Sequence, residues 1–193
     1  MAEIHISREF VKEDTELSGL IENELQIAKT IQHQIEFTRY YEEIGITAPK
    51  WQDIVEVIKR AAHSLKLPDI TLEVHLHGLV VFCDSLIEKV FYNLIENTLR
   101  HGSQVTTITI SCTLVKSDIA LVYTDDGIGI AVNDKEHIFE WGFGKHTGLG
   151  MFLTKEILSI TGISIQENGE PGKGVRFEMI IPEGTYRVDQ GNN

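Results

Sequence analysis

The spacing of apolar residues changes along the chain, and each change predicts a different element. Between about residues 13 and 44, apolar side chains recur at steps of three and four, which predicts a long amphipathic helix. With about 1.5 Å of rise per residue, this helix would be roughly 45–50 Å long. A stripe of that length usually packs against partner helices. The stripe consists of Leu17, Ile21, Leu25, Ala28, Ile31, Ile35 and Thr38.

Beyond Pro49 the pattern alternates between helical periodicity and strands of period two. Consecutive strands joined by short turns predict an α+β fold. We expect a two-layer α/β sandwich with a mixed, mostly antiparallel sheet, preceded by the long N-terminal helix. The predicted helices span 51–65, 84–101 and 148–161, and the predicted strands span 70–76, 80–83, 106–115, 119–123, 164–167 and 175–181. The predicted regions are a helical dimerisation segment at 1–48, a catalytic domain at 49–182 and a polar, frayed tail at 183–193.

Composition narrows the class of protein. The net charge of -12 argues against a nucleic-acid partner, because a phosphate backbone requires a concentrated basic surface. The sequence has no run of 18 apolar residues and no basic-then-apolar secretion signal, so we expect a cytoplasmic protein without a membrane segment. Cys83 and Cys112 lack metal-type spacing and are expected to be buried free thiols.

The predicted helix 84–101 has a polar stripe opposite a broad apolar face. Asn93, Glu96, Asn97 and Arg100 fall within an arc of roughly 100°. Asn offers neutral oxygen ligands to a hard cation, and Arg suits phosphate oxygens. The alternative is a solvated face; two helix-disfavouring asparagines four residues apart favour a polar cleft.

Two glycine-rich segments are further candidates for ligand binding. Asp125 follows a strand, and Gly127 and Gly129 would let the backbone approach a flat ligand. The segment 142–150 enters a helix, whose N-terminal N–H groups favour an anion, and Lys145 adds positive charge. It lacks the spacing of a Walker P-loop. Alone, the first segment could be an ordinary turn and the second a flexible loop with a helix cap.

The order of these motifs resembles the ATPase domain of histidine kinases, within the GHKL superfamily that also includes type II topoisomerases, mismatch-repair ATPases and a heat-shock chaperone. The matching motifs are the asparagine-bearing helix, Asp-x-Gly-x-Gly, a Phe-rich segment, Gly-Leu-Gly, and Gly-x-Gly-x-x-Phe at 172–177. They span about residues 50–182.

The resemblance implies binding of ATP with Mg²⁺, and it implies roles for individual residues. Asn97 would ligate Mg²⁺ with Asn93 beside it, and Asp125 would accept a hydrogen bond from the adenine amino group. The segment Ile138–Phe143 would anchor the lid over ATP. The other residues implied in nucleotide binding are Arg100, His101, Gly127, Gly129, Lys145, His146, Thr147, Gly148, Leu149 and Gly150.

Two departures from the family pattern are informative. The lid between Phe143 and Thr147 is short, so we expect fewer lid side chains to clamp the γ-phosphate than in relatives with a long basic loop. Asn93 stands where the ATPase branches have a glutamate that activates water, and an asparagine cannot take that proton. This favours phosphoryl transfer to a protein acceptor over hydrolysis.

The upstream helix resembles the second helix of the dimerisation and phosphotransfer hairpin, which implies a homodimer. None of the eight histidines precedes an acidic residue, as the phosphoacceptor normally does, and His33 is interpreted as a solvated or packed residue. We therefore hypothesise a truncated sensor histidine kinase that phosphorylates a histidine supplied elsewhere, which then serves a response-regulator receiver domain. The alternatives are a degenerate, non-catalytic nucleotide-binding and dimerisation module and a serine kinase of the anti-sigma type.

Overall fold

The long amphipathic pattern forms helix α1, Thr15–Glu43, close to its predicted bounds. The computed structural model describes residues 15–65, 67, 70–144 and 148–188, without the side chains of 15–18 and 33. Backbone proximity divides the chain into two compact units, Met1–Arg39 and Tyr40–Asn193. Within the described ranges, no helix is both long and apolar enough to cross a membrane.

The second unit contains the other helices and all of the described strands. A short 3-10 helix, His137–Phe139, lies between the fifth strand and the last helix. In chain order the elements are β1 (Lys50–Asp53), α2 (Ile54–Leu65), β2 (Thr71–His75), β3 (Leu79–Cys83), α3 (Ile87–His101), β4 (Thr107–Val115), β5 (Asp118–Asp125), α4 (Gly150–Ser159), β6 (Ser164–Glu167), β7 (Arg176–Ile181) and β8 (Tyr186–Val188).

The main sheet has five strands in the order β2-β4-β5-β7-β6. Only β2 and β4 pair in parallel, and the other three pairings are antiparallel, which confirms the predicted mixed, mostly antiparallel sheet. Apolar side chains of the helices meet those of the sheet in one core. Phe91 of α3, Leu121 of β5 and Met179 of β7 line the same apolar gap of only about 10 Å³. The core is therefore closely packed and holds α3 against the sheet.

A second, small antiparallel sheet, in the order β1-β3-β8, departs from the prediction at two places. Residues 51–53 were predicted as helix but belong to β1. The Asp53 carboxylate accepts hydrogen bonds from the N–H groups of Val55 and Glu56 at 2.8 and 3.2 Å, so the helix begins after Asp53.

The other departure is in the predicted polar tail, where residues 186–188 form β8 on the edge of β3. The Arg187 guanidinium lies 3.7 Å from the ring centre of Trp51, which gives this polar strand a partner on the small sheet. Residues 189–193 lie outside the described part of the chain.

Asp84 fixes the start of α3. Its Oδ1 accepts a hydrogen bond from the Leu86 N–H at 2.8 Å, one residue before the helix. Its Oδ2 accepts another from the Gly45 N–H at 3.3 Å, just after α1. Asp84 is only 1% exposed, so its two bonds are shielded from water. They hold Gly45 close to the residues that begin α3.

Both cysteines are free thiols, as predicted, but only Cys83 is fully buried. Burial raises the pKa of the Cys83 thiol to about 12. Burial also raises the pKa of Cys112, which is half-buried. Thiols that stay protonated at neutral pH are poor nucleophiles, so neither is a candidate for chemistry.

Candidate functional site

A cavity of about 420 Å³ lies where α3, the end of β5, the following loop and the start of β7 meet. Its volume is in the usual range for small-molecule sites, about 300–1,000 Å³. Its wall mixes apolar side chains with a few polar groups, as such sites do. The lining residues are Asn97, Thr98, His101, Gly102, Asp125, Ile128, Gly129, Ile130, Ala131, Asp134, Ile138, Phe143, Gly144, Met151, Val175 and Phe177.

Asp125 is the last residue of β5 and the most constrained polar group on the cavity wall. It is 6% exposed. Its Oδ1 accepts hydrogen bonds from the backbone N–H groups of Gly127 and Val175, both at 3.0 Å. Its Oδ2 accepts one from the Thr98 hydroxyl at 2.6 Å. The carboxylate is thus fixed by a turn, by the residue before β7 and by α3, and it remains able to accept from a ligand that donates.

Thr98 also contacts a second buried hydroxyl. Its Oγ1 lies 2.8 Å from the phenol oxygen of Tyr123, which is fully buried in β5. Burial raises the pKa of the Tyr123 phenol, and the nearby charge of Asp125 raises it further against a lowering by the Thr98 hydrogen bond. The phenol is therefore neutral and retains its proton as a donor.

The neighbouring carboxylate, Asp126, points away from the cavity. It accepts hydrogen bonds from the Thr106 N–H at 2.8 Å and the Thr107 N–H at 3.1 Å, where β4 begins. Together with the Thr106 hydroxyl, these donors hold the pKa of Asp126 below its usual value. Successive side chains of an extended segment point in opposite directions, so only one of the two aspartates faces the cavity.

The two glycines after Asp125 have different roles. Gly129 lines the cavity at φ +68°, and a Cβ there would lie 2.7 Å from the Gly174 carbonyl oxygen. Gly127 packs against α3 instead, where a Cβ would lie 2.5 Å from the Gly102 carbonyl oxygen. That same oxygen accepts a hydrogen bond from the Ile128 N–H at 3.2 Å. Gly127 therefore joins the turn to α3 and does not line the cavity.

The polar stripe of α3 divides between the cavity and other partners. Asn97 and His101 line the cavity. Asn93 is buried, and its Nδ2 donates to the Gly150 carbonyl oxygen at 2.8 Å and to Thr154 Oγ1 at 3.2 Å. Arg100 is exposed and pairs with Glu96 at 2.7 Å. Neither Asn93 nor Arg100 is among the residues that line the cavity.

The glycine-rich segment before α4 closes on itself at its base. A Cβ on Gly148 would lie 2.4 Å from the Phe143 carbonyl oxygen, so the backbone on the two sides of the lid is in contact. Leu149 is buried, and Gly150 begins α4 without a side-chain cap. The predicted residues Lys145, His146 and Thr147 lie outside the described part of the chain. Ile138 and Phe143, from the predicted lid anchor, do line the cavity.

The oxygen ligands on the cavity wall are too few to hold Mg²⁺ alone, but they fit Mg²⁺ that is also bound by phosphate. No group of three or more His, Cys, Asp or Glu side chains that could hold a metal occurs among the described residues. Asn97 lines the cavity, and its side chain carries an amide oxygen. This arrangement suits Mg²⁺, which commonly takes one or two protein oxygens and completes its shell with water and phosphate.

Thr98, Tyr123 and Val175 contribute to the site but were missed from the sequence. Val175 contributes a backbone N–H, which carries no residue-specific signal. Thr98 and Tyr123 occupy buried positions of α3 and β5 that apolar residues usually take. The sequence did contain a signal for them. Thr98 directly follows Asn97, and Tyr123 lies two residues before Asp125.

A mixed α/β sandwich with a cavity between an asparagine-bearing helix and the end of a strand defines a nucleotide-binding domain of the GHKL type. The family model described as "Histidine kinase-, DNA gyrase B-, and HSP90-like ATPase" matches residues 84–185, more than half of the chain. The chain belongs to this family, as the order of its motifs predicted.

Similar curated proteins are sensor kinases. The alginate biosynthesis sensor protein KinB of Pseudomonas aeruginosa is 37% identical over 101 residues, which are 50% of this chain and 17% of KinB. The sensor protein kinase GraS of Staphylococcus aureus is 27% identical over 122 residues, covering 59% of this chain and 34% of GraS. The match thus covers about a third of the length of GraS and about a sixth of that of KinB.

Solved structures of histidine kinases share the fold. The Acinetobacter baumannii histidine kinase AdeS aligns with a TM-score of 0.65 at 23% identity, covering 90% of this chain and 87% of that one. Full-length ShkA in complex with AMPPNP aligns with a TM-score of 0.63 at 18% identity, covering 92% of this chain and 39% of ShkA. At these identities, the comparison establishes the fold.

Proposed function

We propose that this chain is the ATP-binding catalytic domain of a sensor histidine kinase. In this proposal the γ-phosphoryl group of ATP passes to a histidine supplied outside the described residues, and then to an aspartate of a response-regulator receiver domain. The observation that carries the proposal is Asp125, a buried carboxylate on the cavity wall whose bonding suits it to accept a hydrogen bond from adenine. ShkA, with a similar fold, was solved with an ATP analogue.

Each wall residue has a role that follows from its chemistry. Asp125 accepts from the adenine amino group, and Gly129 lets the backbone lie close to the base. Asn97 offers an oxygen to Mg²⁺, which neutralises phosphate charge when bound. The uncapped first turn of α4 offers N–H groups and a positive dipole end to phosphate, next to the predicted phosphate loop at 145–150.

Asn93 supports transfer rather than hydrolysis. Its side-chain amide is used in donating to Gly150 and Thr154, and an amide does not take a proton from water. The protein's contribution to catalysis would then be positioning and electrostatic stabilisation of the transferred group. The acceptor histidine has to approach from another segment or chain.

The first unit suits the predicted homodimer. Leu20, Ile27, Ile31 and Ile35 lie on one face of α1 and are 58%, 54%, 51% and 66% exposed. Exposed apolar rows of this kind usually mark an interface. We propose that two copies pair through this face, on the cytoplasmic side of the cell where response regulators are phosphorylated.

Isothermal titration calorimetry of Mg-ATP into wild type and Asp125→Asn tests the nucleotide site. The substitution keeps the side-chain shape and one acceptor oxygen but changes the other acceptor to a donor. We expect affinity to fall at least about tenfold, the factor expected from losing a hydrogen bond to a charged group. Asp126→Asn is the matched control, because Asp126 bonds the start of β4, and it should bind like wild type. Equal affinity in all three proteins would remove the site assignment.

The short lid favours a second candidate function, a non-catalytic nucleotide-binding and dimerisation module. The backbone of Gly148 lies against that of Phe143, which is only five residues earlier in the sequence. Incubation with γ-labelled ATP and a histidine-bearing hairpin supplied in trans separates the two candidates. Label on the hairpin supports the kinase, whereas ATP binding without label transfer supports the module.

A further inference from the structure

Behind the cavity wall, three buried polar side chains form a continuous hydrogen-bonded chain. Tyr123 is 0% exposed, Thr98 4% and Asp125 6%. The two hydroxyls lie 2.8 Å apart, and the Thr98 hydroxyl lies 2.6 Å from Asp125 Oδ2. Two members belong to β5 and one to α3, so the chain crosses between the sheet and the helix.

The direction of each hydrogen bond follows from the chemistry of its end. An ionised carboxylate only accepts, so the Thr98 hydroxyl must donate its single proton to Asp125. The Tyr123 hydroxyl must then donate to the Thr98 oxygen. Asp125 Oδ1 already accepts two backbone N–H groups. Each carboxylate oxygen therefore faces a protein donor, which fixes the orientation of the carboxylate.

We propose that Thr98, oriented by Tyr123, is a positioning residue that keeps Asp125 an obligatory acceptor and so sets a preference for 6-amino over 6-oxo purine nucleotides. The inference rests on the proposed ATP site and deepens it. A 6-amino group donates to the Asp125 carboxylate, whereas a 6-oxo group presents an acceptor to an acceptor. Specificity of this kind comes from the penalty on the unmatched partner.

Loss of the Thr98 hydroxyl would weaken the preference through the orientation of the carboxylate. Asp125 Oδ2 would lose its only protein donor among the described residues, so the carboxylate could rotate about its Cβ–Cγ bond. A carboxylate that turns away from the ligand bonds the 6-amino group less well and repels the 6-oxo group less. The change therefore improves the binding of the oxo nucleotide relative to the amino nucleotide.

The test compares Mg-ATP with Mg-ITP, which carries the oxo group at position 6 and a proton on N1, by calorimetry on the full chain. The informative variant is Thr98→Val/Tyr123→Phe, because removing both hydroxyls leaves neither one buried without a partner. We expect the ratio of the ITP to the ATP dissociation constant to fall about tenfold, the effect of losing one hydrogen bond to a charged group. Thr98→Ser retains the hydroxyl and should keep the ratio within about threefold of wild type.

The outcomes separate this inference from the proposed function. If the wild type prefers ATP to ITP and the double variant keeps the same ratio, the proposed role of Thr98 is wrong. The proposed ATP site is unaffected by that result. Absence of any preference in the wild type overturns the role of Thr98 as well. Failure of the wild type to bind ATP overturns both. Near-ultraviolet circular dichroism checks folding, and Thr98→Ala/Tyr123→Phe carries the same expectation if the valine variant does not fold.

Discussion

At the scale of single residues, Asn93 links two helices of the candidate site. Its amide donates to Gly150 and Thr154 and so joins α3 to the first turn of α4. We predict that Asn93→Asp destabilises the protein by about 2–3 kcal/mol, because a buried carboxylate would face a carbonyl oxygen without a donor. Urea denaturation monitored by circular dichroism measures this free energy of unfolding.

Thr154→Val is the matched control for Asn93. It removes only the longer of the two hydrogen bonds and keeps the side-chain shape, so we expect a loss of about 1 kcal/mol. If Asn93→Asp were as stable as wild type, the amide could not be holding the start of α4. If both variants lost the same free energy, the bond to Gly150 would contribute nothing.

Single residues also show what the sequence could reveal about the site. Asp125 and Asp126 are adjacent and chemically identical, and resemblance to the family favoured Asp125. The structure supplies the physical reason, since one side chain faces the cavity and the other bonds the start of β4. The link between Thr98 and Tyr123 was not predictable, because it depends on the register of α3 against β5.

At the scale of elements, one buried ion pair ties the loop after β5 to the connection between β6 and β7. Lys135 Nζ lies 2.6 Å from Glu167 Oε2, and the Glu167 side chain is 0% exposed. Lys135 also donates to the Gly169 carbonyl oxygen. Glu167 Oε1 accepts hydrogen bonds from the N–H groups of Gly169 and Arg176 at 2.9 and 3.1 Å. The pair therefore supports the segment that carries Val175 towards Asp125.

We predict that Glu167→Gln lowers the free energy of unfolding by about 3 kcal/mol, because the Lys135 ammonium is left with no buried counter-charge. Lys135→Met should be similarly destabilising, whereas the double variant should lose less than the sum of the two. Lys173→Met is the control, since its pair with Glu170 is exposed and should contribute less than about 1 kcal/mol. Additive losses in a double-mutant cycle of denaturation measurements would show that the two charges do not interact.

Elements were predictable where local periodicity decided them. The helices α1, α3 and α4 and the five strands of the main sheet lie close to their predicted ranges. The small sheet was not predicted. Its strands β1 and β8 are short and polar, and they are strands only because β3 lies between them.

At the scale of the whole molecule, the site depends on contacts between distant parts of the chain. Asp125 accepts from Val175, which lies 50 residues further along, and Asn93 bonds Gly150 across 57 residues. Motif order identifies the participants, but periodicity contains no information about such pairings. This is why the motifs could place Asn97, His101, Asp125 and Gly129 in one site, but could not indicate that Asn93, Arg100 and Gly127 are not among the residues that line the cavity.

Dimerisation is a property of the whole molecule that can be tested through the exposed residues of α1. We predict that the 193-residue chain is a dimer at micromolar concentration, because α1 exposes a row of isoleucines that includes Ile27 and Ile31. Ile27→Lys/Ile31→Lys should raise the dimer dissociation constant at least tenfold, since burying each isoleucine contributes about 1.5–3 kcal/mol. Sedimentation velocity over a concentration series measures it.

Gln26→Lys provides the control for charge, because it adds a lysine on the other side of the same helix and should leave the dimer intact. Far-ultraviolet circular dichroism distinguishes loss of pairing from loss of helix in each variant. A wild-type chain that stays monomeric throughout the series would contradict pairing through α1. A dimer that survives Ile27→Lys/Ile31→Lys but is lost in Gln26→Lys would place the interface on the polar face. Either result would remove the main physical support for a hairpin shared between two copies. The proposed ATP site does not depend on that pairing and would be tested separately.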